Sequence, residues 1–137
     1  MMESVIIGWG TVADYPDKRQ AEEVTYELLN PDKLQEVNVT VVSKETCKAA
    51  MENYTITDGM LCAGGVEGED SCNGDSGGPL TYKEGTQHVL IGDVSFGSGC
   101  ANAGSYGVYG RISYYRAWLD SKMESPKYCG AGPDVDA

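Results

Sequence analysis

The segment 70–79, which reads DSCNGDSGGP, gathers two serines, two aspartates and three glycines. Glycine permits backbone dihedrals and close approaches that other residues resist, so this composition suits backbone packed around a reacting carbonyl group. Two plainer alternatives are a tight glycine turn and a phosphate cradle. The second lacks the Lys-Ser or Lys-Thr ending of a P-loop.

The run GDSGGP at 74–79 resembles the nucleophile loop of the chymotrypsin and trypsin family of serine endopeptidases. The resemblance implies that Ser76 is the nucleophile and that the N–H groups of Gly74 and Ser76 form the oxyanion hole. It also implies that Asp75 is the switch carboxylate, which pairs with the amino terminus made by zymogen cleavage. No Ile-Val-Gly-Gly-like start is present, so we expect Asp75 to face solvent or find another donor. A collapsed or mobile, zymogen-like oxyanion hole is then expected.

The same resemblance assigns a substrate pocket. Asp70 matches the carboxylate at the base of the primary specificity pocket, where it would pair with a substrate Arg or Lys. The segment 94–100, VSFGSGC, resembles the pocket wall, in which Ser95 and its neighbours bind extended substrate backbone. Gly97 and Gly107 would keep the entrance open, and phenylalanine replaces the tryptophan usual at position 96. The alternative is that Asp70 is one of 21 acidic residues on a solvated loop.

Five cysteines and one histidine contain no C-x-x-C pair and do not make a zinc set. The resemblance implies two disulfides, Cys47 with Cys62 and Cys72 with Cys100, and leaves Cys129 free or cross-linked to another chain. A further family bridge is absent, because Ile6 and Tyr82 are expected to occupy its two places. The resemblance implies no metal and no cofactor.

His88 is the only histidine, and we do not expect it to serve as the general base. From Ser76 the chain runs outward to a turn near Gly85 and only briefly back, which leaves His88 beyond hydrogen-bond reach. In the family, the triad histidine and aspartate belong to a first barrel that precedes the serine, and neither has a counterpart here. Without a base serine is a weak nucleophile, and loss of a triad member lowers the rate by about 10⁴-fold or more.

The predicted function is therefore part of a trypsin-like serine endopeptidase that cleaves after Arg or Lys through an acyl-enzyme, with this chain alone nearly inactive. Its partners would be protein or peptide substrates and a first barrel docking in trans. A secretion signal, an activation terminus and the triad His and Asp are all missing from the same end of the sequence. We therefore expect truncation or a misplaced gene start rather than gradual decay of an enzyme. The alternative is a noncatalytic, peptidase-like module that binds a protein.

Composition limits the other classes. A formal charge of -11 with ten dispersed basic residues argues against nucleic-acid binding, and no run of eighteen apolar residues could span a bilayer. The sequons Asn38-Val39-Thr40 and Asn53-Tyr54-Thr55, like the disulfides, point to an extracellular protein. Residues 1–9 have no basic region and too few apolar residues for a secretion signal, so we expect none there.

The elements that must position these residues are mostly short strands, as eighteen glycines and clusters of turn residues suggest. Strands are predicted at 5–7, 37–42, 60–63, 79–82, 88–91, 94–96 and 107–109, with a polar surface loop or edge strand at 14–29. Ser43 caps a short helix or turn at 44–51. A terminal helix at 112–123 is expected to pack through Ile112, Tyr115, Trp118 and Leu119.

The resemblance runs from Ser4 to about Met123. It implies an all-β fold: the second six-stranded antiparallel β-barrel of the trypsin-like domain with a C-terminal α-helix, the first barrel missing. The predicted organisation is one domain at 1–123 followed by a flexible tail at 124–137.

Overall fold

The computed structural model describes residues 2–12 and 30–124. Six strands form a closed antiparallel barrel in the order β1-β2-β3-β6-β5-β4. The elements in chain order are β1 Met2–Gly8, β2 Gln35–Val42, α1 Lys44–Ala50, β3 Met60–Gly64, β4 Pro79–Glu84, β5 Gln87–Gly97, β6 Tyr106–Arg111 and α2 Ile112–Met123. The predicted all-β barrel with a C-terminal helix is confirmed. The segment 14–29, predicted as a loop or edge strand, lies outside the described residues, as do Cys129 and the tail beyond Glu124.

Strand β2 follows from its alternation of valines with polar residues. Val39 is buried in the barrel, and Val37 and Val41, which share its face, pack against the same core. The strand ends at Ser43, whose hydroxyl accepts a hydrogen bond of 3.1 Å from the Thr46 N–H. Satisfying this otherwise unpaired amide starts helix α1, as the sequence predicted.

The barrel core consists of apolar side chains that point inward from several strands. Its main cluster joins Ile6, Val39, Leu61, Ala63, Leu80, Val94 and Tyr109. A second cluster lies under α1, where the Cys47–Cys62 disulfide ties the helix to β3. This bridge confirms the pairing that the resemblance implied.

The register of β1 against β4 corrects one expectation. Ser4, not Ile6, lies opposite Tyr82, and Ile6 lies opposite Leu80. A slip of two residues leaves the same side chains facing inward, so alternation alone could not have fixed this pairing. The Ser4 hydroxyl is buried and has no hydrogen-bond partner among the described residues.

Strand β5 is longer than expected. The segments predicted at 88–91 and 94–96 belong to one strand of eleven residues, which pairs with β4 on one side and β6 on the other. Its register against β6 shifts between Val94 and Phe96. An irregularity of this kind bends a strand and re-aims its side chains, here at the end that meets the nucleophile loop.

Helix α2 begins and ends where predicted, but its expected packing is wrong for two residues. Trp118 is 60% exposed and Tyr115 is 44% exposed, and no residue of the helix is fully buried. Helical spacing predicts which side chains share a face, but not whether another element covers that face. Within the described ranges, no helix has the length and apolar character to cross a membrane.

Candidate active site

Ser76 lies in the irregular segment between β3 and β4, and main-chain hydrogen bonds fix this segment to the barrel. The Gly77 N–H donates to the Val94 carbonyl at 2.8 Å, and the Val94 N–H donates to the Gly78 carbonyl at 2.9 Å. On the other side, the Thr11 N–H donates to the Asn73 carbonyl at 2.8 Å. Ser76 is therefore exposed on a loop whose backbone is held from both sides.

Gly74 adopts a conformation that favours glycine. Its φ is +98°, and a Cβ at this position would lie 3.3 Å from the Cα of Gly10. Among residues 2–12 and 30–124, the N–H groups of Gly74 and Ser76 donate to no protein acceptor. Backbone N–H groups beside a serine that have no acceptor of their own are the type of donor that stabilises an oxyanion.

Asp75 finds donors within the chain, the second of the two outcomes expected for it. One carboxylate oxygen accepts a hydrogen bond from the Gly10 N–H and the other from the Cys72 N–H, each at 2.9 Å. The backbone of Gly8 and Gly10 passes so close to this carboxylate that neither position has room for a Cβ. Asp75 thus joins the segment after β1 to the nucleophile loop.

A cavity of about 170 Å³ opens beside the serine. It brings together Ser76 and all four predicted pocket residues: Asp70, Ser95, Gly97 and Gly107. Gly97 and Gly107 are direct partners in the pairing of β5 with β6. The two glycines therefore line one side of a hollow that a side chain on either strand would narrow.

Asp70 has both carboxylate oxygens held by main-chain amides. Oδ1 accepts from the Ser71 N–H at 2.8 Å, and Oδ2 accepts from the Ala101 N–H at 3.0 Å. A Cβ on Gly107 would lie 3.0 Å from Oδ1. The carboxylate is thus fixed in orientation and faces the space that Gly107 leaves open.

The electrostatic state of Asp70 reflects partial burial without a counter-charge. Burial raises the pKa of its carboxyl above 3.8, against the lowering effect of the hydrogen bonds from Ala101 and Ser71. Within the described ranges, no basic side chain forms an ion pair with it. A cation entering the cavity would supply that missing charge.

Ser71 lines the cavity and contacts Tyr109, which is fully buried in the barrel core, and the sequence predicted neither residue as part of the pocket. Their hydroxyl oxygens are 3.1 Å apart, and burial raises the pKa of the Tyr109 phenol. The alternation of side chains along a strand could have predicted the position of Tyr109. It follows Gly107 by two residues on β6, so both residues face the same side of the strand. A Cβ on Gly107 would indeed lie 2.8 Å from the Tyr109 hydroxyl.

The Cys72–Cys100 disulfide joins the nucleophile loop to the segment after β5. Both cysteines line the cavity with Asp70. The bridge confirms the second implied pairing, and it holds two sides of the pocket at a fixed separation.

His88 lies elsewhere. It pairs with Lys83 near the turn of the β4–β5 hairpin, is exposed, and does not line the cavity. In the part of the chain that the structure describes, the Ser76 hydroxyl has no hydrogen-bond partner. No cluster of three or more His, Cys, Asp or Glu side chains suited to a metal occurs in these residues either.

A closed six-stranded antiparallel barrel with an exposed serine beside a pocket that contains a carboxylate is the architecture of one barrel of a chymotrypsin-like peptidase. Comparison with known proteins agrees, since the family profile described as Trypsin matches residues 2–119. The chain belongs to the trypsin family.

Three relatives share nearly the same fraction of identical residues with this chain. The chain is 39% identical over 123 residues to Trypsin eta of Drosophila erecta and 41% identical over 127 residues to Trypsin Blo t 3 of Blomia tropicalis. It is also 40% identical over 123 residues to Glucanase inhibitor protein 3 of Phytophthora infestans. These alignments cover 89%, 88% and 88% of this chain but only 42%, 41% and 42% of the relatives' own lengths.

Proposed function

We propose that this barrel carries the nucleophile and primary specificity pocket of a secreted serine endopeptidase that cleaves after Arg or Lys. The observation that carries the proposal is the Asp70 carboxylate, fixed by two amides in a cavity that also contains Ser76. An oriented carboxylate with no ionic partner among the described residues favours a guanidinium or ammonium group.

The roles proposed for the loop residues follow from their hydrogen bonds. Ser76 attacks the scissile carbonyl, and the backbone N–H groups of Gly74 and Ser76, which donate to no acceptor among the described residues, stabilise the tetrahedral oxyanion. Asp75 is a positioning residue, because its bonds to Gly10 and Cys72 hold the loop without contacting the reacting atoms. Ser95 and Gly97 provide the β5 edge along which an extended peptide binds.

The proton acceptor is proposed to lie outside this sequence. His88 is the only histidine and sits at the far end of a hairpin, while the Ser76 hydroxyl accepts and donates nothing among the described residues. We infer that a first barrel, joined in a longer chain or docked in trans, supplies the base. The isolated chain would then turn over substrate about 10⁴-fold or more slowly than a complete enzyme.

The pocket is tested by comparing two ligands of nearly equal shape. We expect calorimetry to detect binding of p-aminobenzamidine, a cation, and to find 4-aminobenzamide, its neutral analogue, at least about 30-fold weaker. Equal affinities would contradict an Arg/Lys pocket.

The nucleophile and the missing base are tested together. Incubation of the purified chain with an arginyl ester should give turnover indistinguishable from that of a Ser76→Ala variant, and labelling of Ser76 by a fluorophosphonate should be very slow. Turnover equal to that of a complete trypsin would refute the proposed dependence on an external base.

A second candidate function is noncatalytic protein binding. It is favoured by the 40% identity to a relative named as a glucanase inhibitor, and by the fact that no described residue is hydrogen-bonded to the Ser76 hydroxyl as a base. In the longest natural form of the protein, the enzyme proposal requires that Ser76→Ala abolish hydrolysis of arginyl esters. The binding proposal requires that neither the wild type nor Ser76→Ala hydrolyse the ester. It also requires that Ser76→Ala bind the partner protein as tightly as the wild type does.

A further inference from the structure

We infer that Asn53 is a site of N-linked glycosylation and that its glycan stands beside the Asp70 cavity. The sequon Asn53-Tyr54-Thr55 lies in the turn that follows α1, and all three of its residues are exposed. The Tyr54 N–H donates to the Met51 carbonyl at 2.9 Å, which makes the turn compact. The Asn53 and Thr55 side chains form no hydrogen bond with the described residues, so both are available to a transferase.

The other sequon, at 38–40, lies within a strand of the barrel instead of in an exposed turn. Asn38, Val39 and Thr40 form consecutive positions of β2, where they pair with Val5, Ser4 and Glu3 of β1. Val39 is 3% exposed and belongs to the barrel core. Once the barrel has formed, this sequon is locked in the sheet, whereas the Asn53 sequon stays accessible in an exposed turn.

The modification is a group transfer in the secretory pathway. The Asn53 amide nitrogen attacks the anomeric carbon of an oligosaccharide carried on a polyprenyl pyrophosphate, the co-reactant. A carbon–nitrogen bond forms as the bond from that carbon to the pyrophosphate oxygen breaks. The amide loses one proton, and the polyprenyl pyrophosphate leaves.

The position of the turn gives the glycan a consequence, which rests on the function proposed above. The rings of Tyr54 and Phe96 contact each other with centroids 5.4 Å apart, and Phe96 lines the Asp70 cavity. Asn53 and Tyr54 also line a hollow of about 170 Å³ with Ser98, the residue between Gly97 and Gly99 of the pocket wall. A glycan on Asn53 therefore occupies space that a large partner of the pocket would need.

The site is tested with the full chain, secreted from eukaryotic cells behind a cleavable signal peptide. We expect a mobility shift that peptide-N-glycosidase removes, and conversion of Asn53 to aspartate in the peptide map. Asn53→Gln and Thr55→Ala should each lose this glycan. Thr55→Ser retains a sequon and should keep it, which controls for effects on folding, and Asn38→Gln should leave it unchanged. Secreted chain unmodified at position 53 would overturn the inference.

The location of the glycan is tested by ligand size. Free p-aminobenzamidine should bind the glycosylated and enzymatically deglycosylated chains equally, whereas benzamidine tethered to beads should retain more of the deglycosylated chain. Equal retention would contradict the placement beside the pocket. Failure of both forms to bind any benzamidine would contradict the proposed Arg/Lys pocket and leave the mass measurement at Asn53 standing.

Discussion

The Asp70 carboxylate and Gly107 face each other so closely that a Cβ on the glycine would lie 3.0 Å from Oδ1. The same Cβ would lie 2.8 Å from the Tyr109 hydroxyl. Asp70 and Gly107 both line the cavity, and the buried Tyr109 hydroxyl limits the space on the other side of Gly107. Access to the carboxylate depends on that missing side chain.

Replacing Gly107 with alanine should therefore weaken cation binding. We expect Gly107→Ala to lower p-aminobenzamidine affinity by at least about 10-fold, because the new methyl group would lie 3.0 Å from Asp70 Oδ1 in space that the amidinium needs. Gly97→Ala is the matched control, since its Cβ would meet only ordinary contacts of 3.5 Å or more. Calorimetric titration of both variants would contradict this account if Gly97→Ala had the larger effect.

The Tyr109 hydroxyl should contribute measurably to stability. Tyr109→Phe keeps the buried ring but removes the contact with the Ser71 hydroxyl at 3.1 Å, so we expect the free energy of unfolding in urea to fall by about 1 kcal/mol. Tyr82→Phe serves as control, because the Tyr82 hydroxyl forms no hydrogen bond among the described residues. Equal effects of the two substitutions would argue against a stabilising hydrogen bond between the Tyr109 and Ser71 hydroxyls.

The register of β1 against β4 can be tested with engineered cysteines. Ser4→Cys with Tyr82→Cys places two thiols directly opposite each other, and we expect them to form a disulfide. The free energy of unfolding of this double variant should be about 2–4 kcal/mol higher in the oxidised form than in the reduced form. The diagonal pair Ile6→Cys with Tyr82→Cys should stay reduced, since diagonal residues are about 7–8 Å apart. Thiol titration showing the opposite pattern would contradict the register.

The pH dependence of stability should carry the signature of Asp70. Its pKa is raised in the folded state above 3.8, so the folded chain binds this proton more readily than the unfolded chain. The contribution of Asp70 to the free energy of unfolding therefore falls as pH rises from the ordinary carboxyl pKa through the raised value. Relative to Asp70→Asn, the wild type should lose stability across this window. The raised pKa would be contradicted if the difference in free energy of unfolding between the wild type and Asp70→Asn did not change with pH, or changed in the opposite direction.

Local patterns predicted much of the fold. Alternating valines placed β2, the Ser43 cap placed α1, and the bounds of α2 agree with the structure. The GDSGGP run and its resemblance brought Ser76, Asp70 and the Cys72–Cys100 disulfide into one region before any geometry was known. These features are encoded by residues close together in the sequence or by a specific motif.

The remaining features depend on contacts between distant segments. Nothing local distinguishes Ser4 from Ile6 as the partner of Tyr82, because both face the barrel interior. The exposure of Trp118 depends on what lies beside α2, and the partners of Asp75 depend on how Gly10 approaches the nucleophile loop. Such arrangements are set by packing in three dimensions, and a single sequence does not report them.

The most direct measurement is the dissociation constant of p-aminobenzamidine at neutral pH for the wild type and for Asp70→Asn, which preserves the shape of the side chain and removes its charge. We expect the substitution to weaken binding by at least about 30-fold, because it leaves the bound amidinium without its counter-charge. Unchanged affinity in Asp70→Asn would show that the cavity does not select cations through this carboxylate and would contradict the proposed specificity.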